Sequence, residues 1–365
     1  MNKQQTEIYN QILDLDIPRL TDEQVEFWFS KLLEIMPNNG KLYKYRNLQE
    51  ECFQYTFDAL KKGYIYLSTA DTMNDKLDST IRFDVETEKN SIIKFFIENK
   101  EECMLAWIKL LFSASNLKTS VDDNQILAAL NCFTSNGRFI KSRARELLKT
   151  TGADPNEITS MLNLMGKFVE ETVVDYQGYV QSIAEKFIGM NFDIRKNTYL
   201  FCMSEKYNLD SMWAYYGDNN RGFCIEYDYN KALKYPKVAK QVLLTTRKVK
   251  YSKSCKSISF VPIIREIILN KRQNKEIQNK LSNEFMEQLI TKNNEWLKEK
   301  EWRIIVNSTG HEFNVDLVSA IYIDESVYNT DKAKKLLQLA NQRNWSVYIR
   351  RVNVTGNGFI YQKVD

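Results

Sequence analysis

Lys298-Glu299-Lys300-Glu301-Trp302-Arg303-Ile304-Ile305-Val306 carries the alternation that decides the fold. Successive side chains of an extended strand face opposite ways, so Glu299, Glu301 and Arg303 fall on one side and Trp302, Ile304 and Val306 on the other. The spacing predicts a sheet strand with one face on a core and a preset polar site on the other. The alternative is a solvated face on which Arg303 pairs with its neighbours, worth at most about 1 kcal/mol at a surface.

Helix and strand patterns mix on either side of this stretch. Residues 21–36 open with the capping box Thr21-x-x-Gln24 and continue with Val25, Trp28, Phe29, Leu32 and Leu33 at helical spacing, so an N-terminal helical segment is expected over 1–40. A strand at 41–45 follows, then a helix capped by Asn47 and ended by Gly63, then a strand at 64–68. Residues 88–195 change to long helical patterns and read as an insertion between 41–87 and 196–365, the two parts of a sheet core. Strand patterns return at 198–203, 222–227 and 242–251. A helical stretch at 262–297 leads into the opening strand, and strand, helix and strand follow at 317–323, 330–344 and 346–352. Helix clusters with non-alternating strands predict an α+β fold: a mixed β-sheet core with a large helical insertion and additional N-terminal helices.

The 365 residues exceed the usual size of one hydrophobic core, and 43% apolar with 12% aromatic residues is ordinary for a compact globular protein. A formal charge of +4 argues against a general nucleic-acid-coating role. The six cysteines lie far apart and His311 stands alone, poor material for zinc, so no metal is expected and the cysteines read as reduced thiols of a cytoplasmic protein. Met1 to Glu7 lacks the apolar core of a signal peptide, and the best apolar run, 103–112, is interrupted by Lys109, so no membrane partner is expected. Glycine-rich phosphate loops of the Rossmann or P-loop kind are missing from the sequence, as is any assembled Ser-His-Asp or Cys-His nucleophile.

Polar residues collect in several places. The loop 69–78 carries Asn74, Asp75 and Asp78, which either form a site or satisfy turn backbone. In Asp210-Ser211-Met212-Trp213-Ala214-Tyr215-Tyr216-Gly217, Asp210 is placed to cap a short helix that sets Trp213 and Tyr216 on one face, either as a ring pair for a flat ligand or as core. Glu226, opposite Phe223, Ile225 and Tyr227 on its strand, is either solvated or in the site. Basic residues at 247, 248, 250, 253 and 256, with more at 271, 272, 275 and 280, read as a solvated face or a phosphate-tracking patch.

Leu42-Tyr43-Lys44-Tyr45-Arg46, Gly63-Tyr64-Ile65-Tyr66-Leu67-Ser68 and Asn74-Asp75-Lys76-Leu77-Asp78 resemble the opening of a large bacterial domain-of-unknown-function family, whose pattern there is YKYR followed by NDPFD. Lys76 stands where that family carries proline. Phe201-Cys202-Met203-Ser204, Trp213-Ala214-Tyr215-Tyr216-Gly217, Gly222-Phe223-Cys224-Ile225-Glu226-Tyr227-Asp228 and Glu299-Lys300-Glu301-Trp302-Arg303 are similar to its later motifs, in the same order.

A more distant resemblance is to ADP-ribosyltransferases of the DNA-modifying kind, with an early strand, helix, glycine and strand, and a catalytic glutamate on a late strand. It implies NAD as substrate, held by Lys44, Tyr45 and Arg46. Ser204 would lie near the middle motif, Glu301 would be the catalytic acid, and Glu299 would orient or deprotonate an acceptor on nucleic acid or protein. Asn74, Asp75, Asp78, Trp213, Tyr216 and Arg303 join the expected substrate site, with Trp213 or Tyr216 stacking on nicotinamide. The implied activity is ADP-ribosyl transfer or NAD hydrolysis, as in a toxin or phage-defence effector. A non-catalytic nucleic-acid or nucleotide-binding module is the alternative from another class. A nuclease using magnesium on Asp75, Asp78, Glu299 and Glu301 is a third.

Overall fold

The computed structural model describes residues 1–73, 78–79, 84–114, 122–133, 138–152, 154–172, 175–253, 257, 259–269, 285–307 and 310–364. Two compact units divide the chain: Met1–Thr80, Ile194–Cys255 and Leu289–Asp365 form the first, and Ile81–Asp193 with Lys256–Gln288 the second.

The first unit is built on a mixed sheet, in keeping with the expected α+β class. Its strands are β1 (Lys41–Arg46), β3 (Ser68–Thr69), β4 (Thr198–Ser204), β5 (Phe223–Asp228), β6 (Thr246–Lys248), β9 (Glu301–Asn307), β11 (Val318–Asp324), β12 (Ser346–Val352) and β13 (Phe359–Val364). The spatial order is β13-β12-β11-β5-β1-β4-β9-β6, with β3 also on β4. Two small pairs stand apart: β2 (Ile65–Tyr66) with β10 (Glu312–Phe313), and β7 (Lys250–Ser252) with β8 (Thr291–Asn293).

Alternation sorts the sheet into two faces. Leu42, Phe201, Met203, Phe223, Ile225, Trp302, Ile304 and Ile321 are buried in one core with Val25, Phe29 and Leu32 of helix Asp22–Ile35. Tyr43, Tyr45, Cys224, Ala320 and Tyr322 form a second core with Met212 and Trp213 on the opposite face. Burying large apolar side chains on both faces makes the inner strands the stable part of this unit.

The sheet parts at one place. β1 pairs with β5 along all six residues, Lys41↔Asp228 to Arg46↔Phe223, and β4 pairs with β9 along all seven, Thr198↔Asn307 to Ser204↔Glu301. Between β1 and β4 the register is a single pair, Tyr43↔Ser204. Beyond it the two strands diverge, and β3 takes the edge of β4 that β1 leaves, through Ser68↔Leu200 and Thr69↔Tyr199.

Several local expectations are corrected. The capping box at Thr21 and Gln24 forms, but helix Glu50–Lys62 is preceded by Gln49 with no side-chain cap, and Asn47 Oδ1 accepts from Gln49 N instead. Gly63 ends that helix in the left-handed region (φ 77°). The pattern at 242–251 splits, because Pro236 starts a helix, Pro236–Thr245, that runs to the edge of β6. Asp210 sits inside helix Asp210–Tyr216 at its first position, and Leu209 is the cap.

The second unit is helical, with Val85–Glu98, Lys100–Ala114, Asp123–Leu130, Lys141–Thr151, Pro155–Thr172 and Val261–Leu269 among its elements. It has its own core, including Ile92, Phe96, Ile108, Ile158, Met161 and Ile264. Among the described residues no helix is long and apolar enough to cross a membrane.

Leu42 is fully buried near the start of β1. Leu42→Ala is expected to destabilise the protein by about 2–5 kcal/mol in urea unfolding followed by circular dichroism; a loss under about 1 kcal/mol would contradict the placement of β1 inside the sheet.

Candidate functional site

A buried ionic network forms behind the polar face of β9. Arg303 is completely buried. Its Nε donates to Glu301 Oε1 at 2.7 Å, one terminal nitrogen donates to Ser79 Oγ at 2.8 Å and to the Leu289 carbonyl at 2.6 Å, and the other donates to Asp78 Oδ2 at 2.8 Å. Lys292, on β8, places Nζ 2.6 Å from Glu299 Oε2, 3.0 Å from Glu301 Oε2 and 3.4 Å from Asp78 Oδ2. Three carboxylates thus share two cations. Tyr216 OH donates to the other oxygen of Glu299 at 2.9 Å, and Glu301 N donates to Tyr251 OH at 2.8 Å.

Glu299 reaches this network by a route the alternation does not describe. β9 begins at Glu301, and Glu299 ends the 3-10 turn Asn294–Glu299. Lys300 adopts a left-handed conformation (φ 47°, ψ 57°) that reverses the chain between them. Ser204 pins that turn: its Oγ donates to the Glu299 carbonyl at 2.7 Å, and Glu205 N donates to the Lys300 carbonyl.

Burial and neighbours push the two glutamates apart. Burial alone would raise the Glu301 carboxyl, but the Arg303 guanidinium and Lys292 ammonium outweigh it and hold Glu301 well below the usual range. Glu299 moves upward, because burial and the Glu301 charge exceed what Lys292 and Tyr216 return. One carboxylate is locked ionised and its neighbour is displaced toward the protonated form, the separation seen where two acids take different roles.

The network forms one wall of a cavity of about 810 Å³, inside the range of ligand pockets. The cavity opens where β1 and β4 diverge, so Lys44, Tyr45 and Arg46 line it from β1 and Cys202 and Met203 from β4. Asp78, Lys292, Glu299 and Glu301 line it too, with the rings of Tyr55, Tyr215, Tyr216 and Trp296. Lys44 Nζ lies 5.0 Å from the Phe201 ring centroid, and the Arg46 guanidinium is 5.8 Å from Tyr55 and 5.9 Å from Phe201. Among the described residues neither cation has an ion pair, and Arg46 Nε is buried without an acceptor. Burial and the nearby Arg46 charge lower the Lys44 amine to about 8.

The structure brings together Lys44, Tyr45, Arg46, Asp78, Tyr216, Glu299 and Glu301 of the expected site, with Arg303 directly behind them. Three expectations need correction. Trp213 does not line the cavity: it is fully buried, donates from Nε1 to the Tyr207 carbonyl at 2.8 Å, and packs on the Arg350 guanidinium at 4.7 Å. Ser204 is buried and holds backbone, as above. The Tyr45 hydroxyl is committed to the Lys206 carbonyl (2.7 Å) and Leu209 N (3.2 Å), so it anchors the 206–209 loop. Asn74 and Asp75 lie outside the described residues.

Glu226 is neither solvated nor in this cavity. It is buried with Lys41 Nζ at 2.8 Å, Ser319 Oγ at 2.7 Å and Tyr322 OH at 2.8 Å. The expected basic patch is partly consumed: Arg247 donates to the Leu243 and Thr246 carbonyls, and Lys248 pairs with Glu205. Positions 256, 271, 272, 275 and 280 lie outside the described residues.

Lys292 falls in the stretch 262–297 expected as helix, but Thr291–Asn293 forms β8 and Asn294–Glu299 a 3-10 turn, so the helical reading gives no signal for it. The asparagines around it mark a turn, and Asn293 does cap the following 3-10 turn by accepting from Glu295 N. Residues 212–304, which run from the Tyr216 helix into β9, match the family described as Protein of unknown function (DUF2971). No curated protein and no solved structure matches the chain.

Two measurements test the network. Arg303→Met leaves Asp78 and Glu301 buried without their guanidinium and is expected to cost about 3–5 kcal/mol in urea unfolding; a loss below about 1 kcal/mol would show that the pairs are not formed. The depressed Glu301 carboxyl contributes stability that is present above its unfolded value near 4.3 and lost as pH falls below it. The raised Glu299 carboxyl acts with the opposite sign. Glu301→Gln is therefore expected to lose less stability than the wild type between about pH 6 and about pH 3, while Glu299→Gln loses more. Parallel profiles for all three proteins would contradict these assignments.

Proposed function

We propose that the cavity binds NAD and breaks its nicotinamide glycosidic bond, passing ADP-ribose to water or to an acceptor on nucleic acid or protein. The observation that carries this reading is a charge separation across one cavity: Lys44 and Arg46 stand unpaired on the β1 side, and Glu299 and Glu301 face them from the β9 side. NAD has the matching polarity, with an anionic pyrophosphate and a cationic nicotinamide ring.

In this reading Arg46, with Lys44, takes the pyrophosphate by charge-assisted hydrogen bonds. The Glu301 carboxylate, held ionised by Arg303, faces the nicotinamide ribose. As the bond from the anomeric carbon to nitrogen breaks, its electron pair leaves with nicotinamide and positive charge develops on the ribose, which a fixed carboxylate in a poorly hydrated site stabilises. Glu299 accepts the proton of the incoming hydroxyl as the new carbon–oxygen bond forms. Tyr216 orients Glu299 and, in place of Trp213, offers a ring beside the nicotinamide.

One observation favours the second reading, a nucleotide-binding module without turnover: both oxygens of Glu301 already accept hydrogen bonds, from Arg303 and Lys292. The magnesium reading has less support. Asp78, Glu299 and Glu301 direct oxygens to these same two cations, and Asp75 lies outside the described residues.

Purified protein incubated with NAD, alone and with nucleic acid or protein extract, is expected to release nicotinamide. Glu301→Gln is expected to slow this by about 100-fold or more, and Tyr216→Phe, which removes only the hydrogen bond to Glu299, by a smaller factor. Undiminished turnover by Glu301→Gln would refute the mechanism, and NAD binding without nicotinamide release would favour the binding module.

A further inference from the structure

We infer that Lys44 is a nucleophilic amine and that the cavity accepts a phosphorylated aldehyde or ketone, which Lys44 captures as an imine while Arg46 holds the phosphate. This extends beyond the NAD reading and uses the same cavity without depending on Glu301 chemistry.

The geometry is specific to this lysine. Lys292, in the same wall, is locked by three carboxylates, whereas Lys44 Nζ lies 5.0 Å from the Phe201 ring with no ion pair or hydrogen bond among the described residues, the Glu301 charge acting on it only at a distance. Its neighbour two positions along β1 is a cation, Arg46, whose Nε is buried with no acceptor. A desolvated lysine beside a second cation is the arrangement that activates an amine for attack on a carbonyl. Burial is the larger cause here and Arg46 the second, which bring the amine to about 8. The unsatisfied guanidinium supplies an anion site within the same cavity.

The step balances without a redox partner. The Nζ lone pair attacks the carbonyl carbon, and the carbon–oxygen π pair moves to oxygen and is protonated. The carbinolamine then loses that oxygen as water while nitrogen gives up its protons, leaving a carbon–nitrogen double bond. Amine plus carbonyl thus gives imine plus one water.

The test uses the full chain with pyridoxal 5′-phosphate as probe, borohydride to fix any imine, and peptide mass mapping. Lys44 is expected to be labelled first at substoichiometric probe. Pyridoxal, which lacks the phosphate, is expected to label it about tenfold more slowly, the size of one charge-assisted hydrogen bond. Arg46→Gln is expected to remove that preference for the phosphate and, by withdrawing the neighbouring charge, to slow the labelling of Lys44 by both probes, and Lys44→Arg to remove the label while keeping the charge. Labelling spread evenly over the lysines, or equal labelling of Lys44 by both probes, overturns the inference. The mapping on unmodified protein stands even if a variant fails to fold. NAD turnover is read separately, so either proposal can fail alone.

Discussion

The structure of the first unit depends on how a fully buried guanidinium is satisfied. Trp302 and Ile304 must face the core beneath the sheet, so alternation drives Arg303 to the other side of β9, where no solvent reaches it. Burying a lone charge there would cost several kcal/mol. Glu301, Asp78, Ser79 and the Leu289 carbonyl remove that penalty, and they come from three separate parts of the chain. The guanidinium therefore fixes where the end of the 69–79 segment, the approach to β8 and the start of β9 meet. Lys292 extends the same constraint to Glu299, and Ser204 and Lys300 hold the turn that brings Glu299 there.

The charge network becomes a candidate site because the sheet opens beside it. Had β1 followed β4 for its full length, Lys44 and Arg46 would have faced a closed ladder. The single Tyr43↔Ser204 pair ends that ladder, and the strands part around a space lined by aromatic rings, the unpaired cations Lys44 and Arg46, and the carboxylates of Asp78, Glu295, Glu299 and Glu301. The carboxylates are preorganised by buried partners, while Lys44 and Arg46 have no ion pair among the described residues. In a purely structural ion cluster every charge would be compensated, and Lys44 and Arg46 are not.

Much of this was legible in the sequence wherever a period was strict. β1, β5, β11 and β12 fall where strands are expected, at 41–45, 222–227, 317–323 and 346–352, and the helix capped by Thr330 follows its own spacing. The polar face of β9 is likewise visible, since Glu301 and Arg303 lie two apart. What periodicity cannot supply is conformation at single residues. Lys300 in the left-handed region shortens β9 and moves Glu299 into a turn, and nothing in Lys298-Glu299-Lys300 announces it. Trp213 and Tyr216 share a helix face, yet only Tyr216 reaches the cavity, because Arg350 and Tyr207 claim the indole from below. Lys292 lay hidden because its partners are distant in sequence or reached through a tertiary turn. The helix after Pro236 was masked by an apolar run that suits helix and strand equally.

A crystal structure of the protein with ADP-ribose bound tests the central claim most directly. The expected result is ligand density in the gap between β1 and β4, with the pyrophosphate against Arg46 and a ribose hydroxyl within hydrogen-bond distance of Glu301, the Arg303 and Lys292 contacts being retained. Density elsewhere on the molecule, or a gap closed by side chains at saturating ligand, would contradict it.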